Sequence, residues 1–183
     1  MSGSSWARRL LGTAVDLSEG ESWAQAKSEW RVLYEDDAGG PTETCVCGHE
    51  GLRYLNMVGN RITGARLYPV GSSCVERFDD DRIAEEQADA RAVRVLRQHA
   101  VAGDLDRPHY SRRAIDALHR ERVIDAAEHA LMRRLFNKGP KAQIPEHDAA
   151  LLRAVVSRRV MPYLCGAEAR IAAERAGEKR GAA

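Results

Sequence analysis

Three of the chain's four cysteines fall in one stretch, Thr44 to Phe78 (TCVCGHEGLRYLNMVGNRITGARLYPVGSSCVERF), with a histidine two residues after the second. Cys45, Cys47, His49 and Cys74 offer three thiols and one imidazole, the donor set that a tetrahedral Zn²⁺ takes at Zn–S near ~2.3 Å and Zn–N near ~2.0 Å. Cys45 and Cys47 lie two apart, so extended backbone would put both side chains on one face. Gly48 then lets the chain turn without a Cβ penalty and brings His49 back toward the same point. Four protein ligands leave no coordination position for water. The expected metal is therefore structural, one Zn²⁺ per chain, and no catalytic residue is assigned. The remaining cysteine, Cys165, stands beyond Pro162 among small apolar residues and reads as a buried or partly exposed free thiol.

Cys74 is far from the others in sequence, so the segment between must return the chain to its start. LRYLNMVG is rich in β-prone residues, NRITG offers a loop with Gly64 where φ > 0 is needed, and ARLYPV runs back, which predicts a β-hairpin. Pro69 confines the second strand to an edge or to its own end. GSSC then places Ser72 or Ser73 as N-cap of a helix beginning CVERFDDDRIAEE, whose positive end favours a thiolate at Cys74. A two-stranded hairpin cannot build a core alone, and a metal would supply what it lacks. Upstream, Ser22 reads as N-cap of a helix over SWAQAKSEWRVLYEDD, with Trp23, Ala26, Trp30 and Leu33 or Tyr34 at helical spacing, ended by DDAGGPTET. Leu10, Leu11, Val15 and Leu17 suggest a short helix or an ordered arm before it.

The succession of CVCGH, a strand, NRITG, a strand and GSSCVERF resembles a motif recurring in poorly characterised small proteins of bacteria and phages, of the form C-x-C-G, N-x-x-T-G and G-S-x-C. Ser28-Glu29-Trp30 upstream also looks like that family, and the likeness covers about residues 22 to 80. The layout of knuckle, hairpin and helix is similar to treble-clef zinc fingers, with the difference that this helix supplies one ligand where a treble clef supplies two. The resemblance implies a zinc-binding fold and carries no activity with it.

After the motif the pattern is helical: Ile83 to His99, then Ser111 onward as two helices meeting near Arg120 to Val123, then a block from Asp148 that Pro162 should stop or kink. The tail GEKRGAA reads as frayed. The expected fold class is thus α+β and mostly helical, with a small treble-clef-like zinc module and a helical C-terminal region. The expected domains are 1–81, the N-terminal helix plus zinc module, and 82–183, a basic helical region.

Charge divides the same way. Residues 1–81 carry 8 Lys/Arg against 13 Asp/Glu, and residues 82–183 carry 20 against 14. Arg112, Arg113, Arg133, Arg134, Arg158 and Arg159, with Lys138 and Lys141, could line a surface that meets the phosphates of DNA or RNA, although few aromatics accompany them. His99, His109, His119 and His129 fall ten apart, a spacing that shares no face on a single helix. There is no H-E-x-x-H, no G-x-x-x-x-G-K-[ST] and no G-x-S-x-G. No run is long and apolar enough for a membrane span, and MSGSSWARRLLG lacks the apolar core of a signal peptide, so a cytoplasmic protein is expected. Two functions remain: a non-catalytic nucleic-acid-binding accessory protein, or a phage or mobile-element adaptor that binds a host or replication protein.

Overall fold

The segment YLNMVGN forms the central strand, β2 (Tyr54–Asn60), of a three-stranded antiparallel sheet ordered β1-β2-β3, with β1 at Trp30–Asp37 and β3 at Arg66–Val70. Trp30 lies opposite Asn60 and Asp37 opposite Tyr54, with a bulge between Val32 and Tyr34. Val70 lies opposite Asn56 and Arg66 opposite Gly59. Pro69 sits on an edge strand, where its missing N–H removes no ladder bond. This computed structural model describes residues 5–78, 80–103, 105, 109–139, 142–167, 169 and 171. The chain divides into two compact units, Met1–Arg94 and Val95–Ala183.

In the first unit, α1 (Ser5–Asp16) buries Ala7, Leu10 and Ala14. The helix expected from Ser22 is corrected. It lasts one turn, α2 (Trp23–Ala26), continues as a 3₁₀ turn at Lys27–Glu29, and gives way to β1. WRVLY is aromatic and β-branched, and the open edge of β2 supplies backbone partners that override the helical spacing. The expected apolar stripe survives in another form, because Trp23 and Trp30 both pack against Phe78, with ring centroids 5.1 and 6.3 Å away. The helix expected from Ser72 is also broken, into α3 (Ser72–Val75), a 3₁₀ turn at Glu76–Phe78, and α4 (Asp81–Ala102), and the N-cap of α3 is Gly71 rather than a serine.

The outer edge of β1 is covered by polar side chains of α4. Glu86 accepts from the Val32 N–H at 2.9 Å, next to the bulge, and Arg82 donates to the carbonyls of Ser28 and Trp30. Buried Glu35 accepts from Arg94 at 2.8 Å. An exposed edge that invites pairing with another chain is thereby closed. The far end of the sheet is fixed by Asn60. Its Oδ1 accepts from the N–H groups of Ile62 and Thr63, and its Nδ2 donates to buried Glu29 at 2.7 Å. Glu29 also accepts from the N–H groups of Glu19 and Gly20, and Thr63 donates to the Leu17 carbonyl, so the NRITG turn is tied to the segment after α1.

The second unit takes the C-terminal part of α4 and adds α5 (Arg112–Arg120), α6 (Ala126–Asn137) and α7 (Glu146–Val155). Ser111 caps α5 by accepting from Ala114 N–H, and Asp125 with Glu128 forms a capping box on α6. The two helices meet at a tight turn in which Arg122 has φ 58°. Ile115, Leu118, Ile124, Met132, Leu135 and Leu164 are buried in this unit. Pro162 does not end the last helix. The chain widens to a π-helical turn at Val156–Val160 and residues 161–167 remain helical, since the altered register takes up the bond that proline cannot donate. Pairwise ring stacking gives the histidine spacing a structural sense: His99 lies on His109 at 3.7 Å and His119 on His129 at 4.6 Å. The tail expected to fray, GEKRGAA, and Lys141 lie outside the described residues. Among the described residues no helix is long and apolar enough to cross a membrane.

The bond from Asn60, with the N–H groups of Gly20 and Glu19, holds the Glu29 carboxyl below its ordinary value of 4.5, against the opposing effect of burial. A depressed carboxylate contributes stability above its unfolded pKa and loses it as pH falls through the folded one. Glu29→Gln should therefore be less stable than the parent at neutral pH, with the difference shrinking below the ordinary glutamate range. Denaturant unfolding from pH 7 to pH 3 tests this, and a constant difference down to pH 3 would contradict it.

Candidate metal centre

Cys45 and Cys47 sit on a short loop pinched at its base by the antiparallel pair Glu43 and Leu52. The loop is a turn rather than the extended segment expected. Gly48 N–H donates to the Cys45 carbonyl at 2.6 Å, and Cys45 N–H donates to the His49 carbonyl at 2.8 Å. Val46 N–H donates to the Pro69 carbonyl of β3 at 3.0 Å, which anchors the knuckle on the sheet edge. Cys74 arrives from the other side on α3, directly after β3.

The sulfurs of Cys45, Cys47 and Cys74 all lie within 4.8 Å of one another, with Cys47 and Cys74 3.5 Å apart. The three cysteines are free thiols. A tetrahedral ion with thiolates at ~2.3 Å places its sulfurs about 3.8 Å apart, so the cluster fits such an ion, and it could hold a metal. Cys45 and Cys47 are buried within the apolar core that includes Leu10, Trp30, Val58 and Phe78. In the metal-free trio the protons are unequally shared. Cys45 is brought down to about 5, first by the hydrogen bond from Cys74 and, against burial, by the N–H groups of Cys47 and Gly71. Cys74, which supplies that proton, is pushed well above the usual thiol range, and burial adds to the rise. Three thiolates at this separation repel strongly, and a divalent cation is the species that would let all three ionise.

His49 is not in that cluster. Its exposed imidazole meets the Trp6 ring edge-on, with centroids 6.0 Å apart, and it lines the same cavity of about 420 Å³ as the three sulfurs. Cys165 is exposed and belongs to the other unit.

Trp6, Arg9 and Gly71 belong to the site although the ligand pattern does not point to them. Gly71 N–H faces the Cys45 sulfur at 3.5 Å. Trp6 and Arg9 fall one helical turn apart on α1, and the Arg9 guanidinium lies 5.8 Å from the Trp6 ring centroid. Both close over Gly48: a Cβ there would come within 2.5 Å of an Arg9 nitrogen and 2.8 Å of the Trp6 ring.

The six arginines expected to meet phosphates all lie in the second unit. Arg133 pairs with Asp116, Arg134 with Asp148 at 2.9 Å, and Arg159 with Glu128 at 3.6 Å. Arg112 lies over the Phe136 ring at 5.9 Å. Arg113 is likewise engaged, and Arg158 is exposed. No protein-family model, curated protein or solved structure matches the chain, so the likeness to phage and bacterial zinc proteins rests on the motif residues alone.

Gly48 is required twice, for its φ of +93° and for the approach of Trp6 and Arg9. Gly48→Ala should destabilise the first unit by roughly 1–3 kcal/mol. Gly39→Ala should cost less, because that glycine has φ +78° but nothing within 4 Å of its Cβ position. Denaturant unfolding of both variants with metal present compares them, and equal losses would remove the close-approach argument.

Proposed function

We propose that the protein is a non-catalytic, nucleic-acid-binding accessory protein whose first unit is held together by one structural Zn²⁺. The observation that carries the metal reading is the convergence of the Cys45, Cys47 and Cys74 sulfurs from two separate elements. Thiolate donors select zinc over magnesium or calcium. His49 is proposed as the fourth ligand, since it follows Cys47 by two residues and lines the same cavity as the three sulfurs. A bound zinc would supply ligand-to-metal bonds joining the knuckle to α3, and no reaction is assigned to it.

The excess of Lys/Arg over Asp/Glu in residues 82–183 supports a nucleic-acid partner, with Arg112, Arg113, Arg133, Arg134, Arg158 and Arg159 as the phosphate-facing candidates. A second reading is favoured by one observation: Arg133, Arg134 and Arg159 already hold carboxylate partners, so phosphates would have to compete with them. Under that reading the protein is an adaptor for another protein, of phage, host or replication origin.

Freshly purified protein should contain one zinc per chain by elemental analysis. Cys74→Ser should lose it, and Cys165→Ser should keep it in full. Metal-free fresh protein would overturn the proposal. On duplex DNA, log K should fall against log salt by about 0.9 for each phosphate neutralised. Replacing exposed Arg158 by Glu should reduce that slope with little change in thermal midpoint, since exposed charges contribute little to stability. No binding at low salt to DNA or RNA would transfer the proposal to the adaptor.

A further inference from the structure

The basic helices carry few aromatic partners, and the first unit has what they lack. The cavity over the cysteine cluster is walled by Trp6, Tyr54, His49, Arg53, Arg77 and Ser73, and among the described residues no carboxylate lines it. That is unexpected by composition, because residues 1–81 carry an excess of acidic side chains. The two aromatic rings are unusually open for their size, Trp6 at 42% and Tyr54 at 39% exposure. Each is flanked by guanidinium: Arg9 lies 5.8 Å from the Trp6 centroid, and Arg53 and Arg94 lie 5.2 and 4.7 Å from that of Tyr54. Arg53 is held by Asp37 through two hydrogen bonds, which leaves Arg9 and Arg77 as the main source of positive charge at the cleft.

Exposed rings beside arginines, around a recess of about 420 Å³, match the chemistry of a nucleotide: a planar base with a face to stack and a phosphate to meet a cation. An apolar peptide would leave the arginines unanswered, and a duplex does not offer the faces of its bases. We propose that this cleft receives a nucleotide of single-stranded DNA or RNA, with Trp6 and Tyr54 as stacking surfaces and Arg77 and Arg9 as phosphate contacts. The inference rests on the nucleic-acid reading above and adds to the phosphate-facing candidates of the C-terminal helices a base-contacting cleft beside the cysteine cluster. The shared chemistry could also come from a free nucleotide, which the test separates.

The experiment titrates metal-loaded, full-length protein with fluorescein-labelled dT₁₂ and rU₁₂, and separately with UMP. Trp6→Ala, Tyr54→Ala, Arg77→Glu and, as reference, Arg133→Glu/Arg134→Glu are compared with the parent. The three cleft positions are exposed, and retained zinc content and circular dichroism confirm that each variant is folded. The parent should bind an oligonucleotide with quenching of tryptophan emission, and the quenching should vanish in Trp6→Phe, since Trp30 is buried and Trp23 packs on Phe78 and does not line the cleft. Loss of either stacking ring should weaken binding about tenfold. If oligonucleotides bind and the cleft variants match the parent while the Arg133/Arg134 variant is weakened, the cleft proposal falls and the nucleic-acid reading stands. Binding of UMP without the oligonucleotides overturns the single-strand assignment. If neither is bound, both readings fall together.

Discussion

Three thiols held within 4.8 Å of one another, at the margin of an apolar core, cannot all ionise unless a cation joins them. On the metal reading proposed above, that requirement is the constraint on which the first unit would depend. The sulfurs come from the knuckle after β1 and from α3 after β3, and the knuckle also leans on β3 through the Pro69 carbonyl. A metal here would clamp both flanks of the edge strand. The two buried cysteines belong to the same core as Trp30, Val58 and Phe78, so local loss of the cluster would open the core itself.

The opposite end of the sheet is secured without metal. Asn60 caps its own turn with one side of its amide and ties Glu29 with the other, and Ser18 joins by accepting from the Trp30 indole at 2.9 Å. A three-stranded sheet has little apolar area of its own. It is fixed by a buried polar network at one end and by α4 side chains along the outer edge of β1, and the sulfur cluster lies at the other end. The motif residues Asn60, Thr63 and Gly64 therefore serve the frame, whereas the cysteines serve the centre.

Much of this was legible in the residues. Three cysteines in one stretch told where the sulfur cluster would form, Gly64 told where the chain would turn back, and Pro69 confined the returning strand to an edge or to its own end, of which the structure has the edge. The strand at Trp30–Asp37 was hidden because its apolar residues also fit a helix, and only the open edge of β2 decides between them. Cys45 and Cys47 converge through a turn, not through strand alternation, a distinction that depends on the long-range bond from Val46 to Pro69. Pro162 misleads for a related reason: the π turn that accommodates it lies before it and leaves no local mark. The closing of Trp6 and Arg9 over Gly48 joins residues some forty positions apart and could not be read from either segment alone.

The central claim is that a metal bound by the three sulfurs organises this unit. X-ray absorption at the zinc edge of the purified protein tests it most directly, because it counts donor atoms around the ion whatever the protein binds. The account predicts three sulfurs near ~2.3 Å and one nitrogen near ~2.0 Å. A shell made only of oxygen and nitrogen would contradict it.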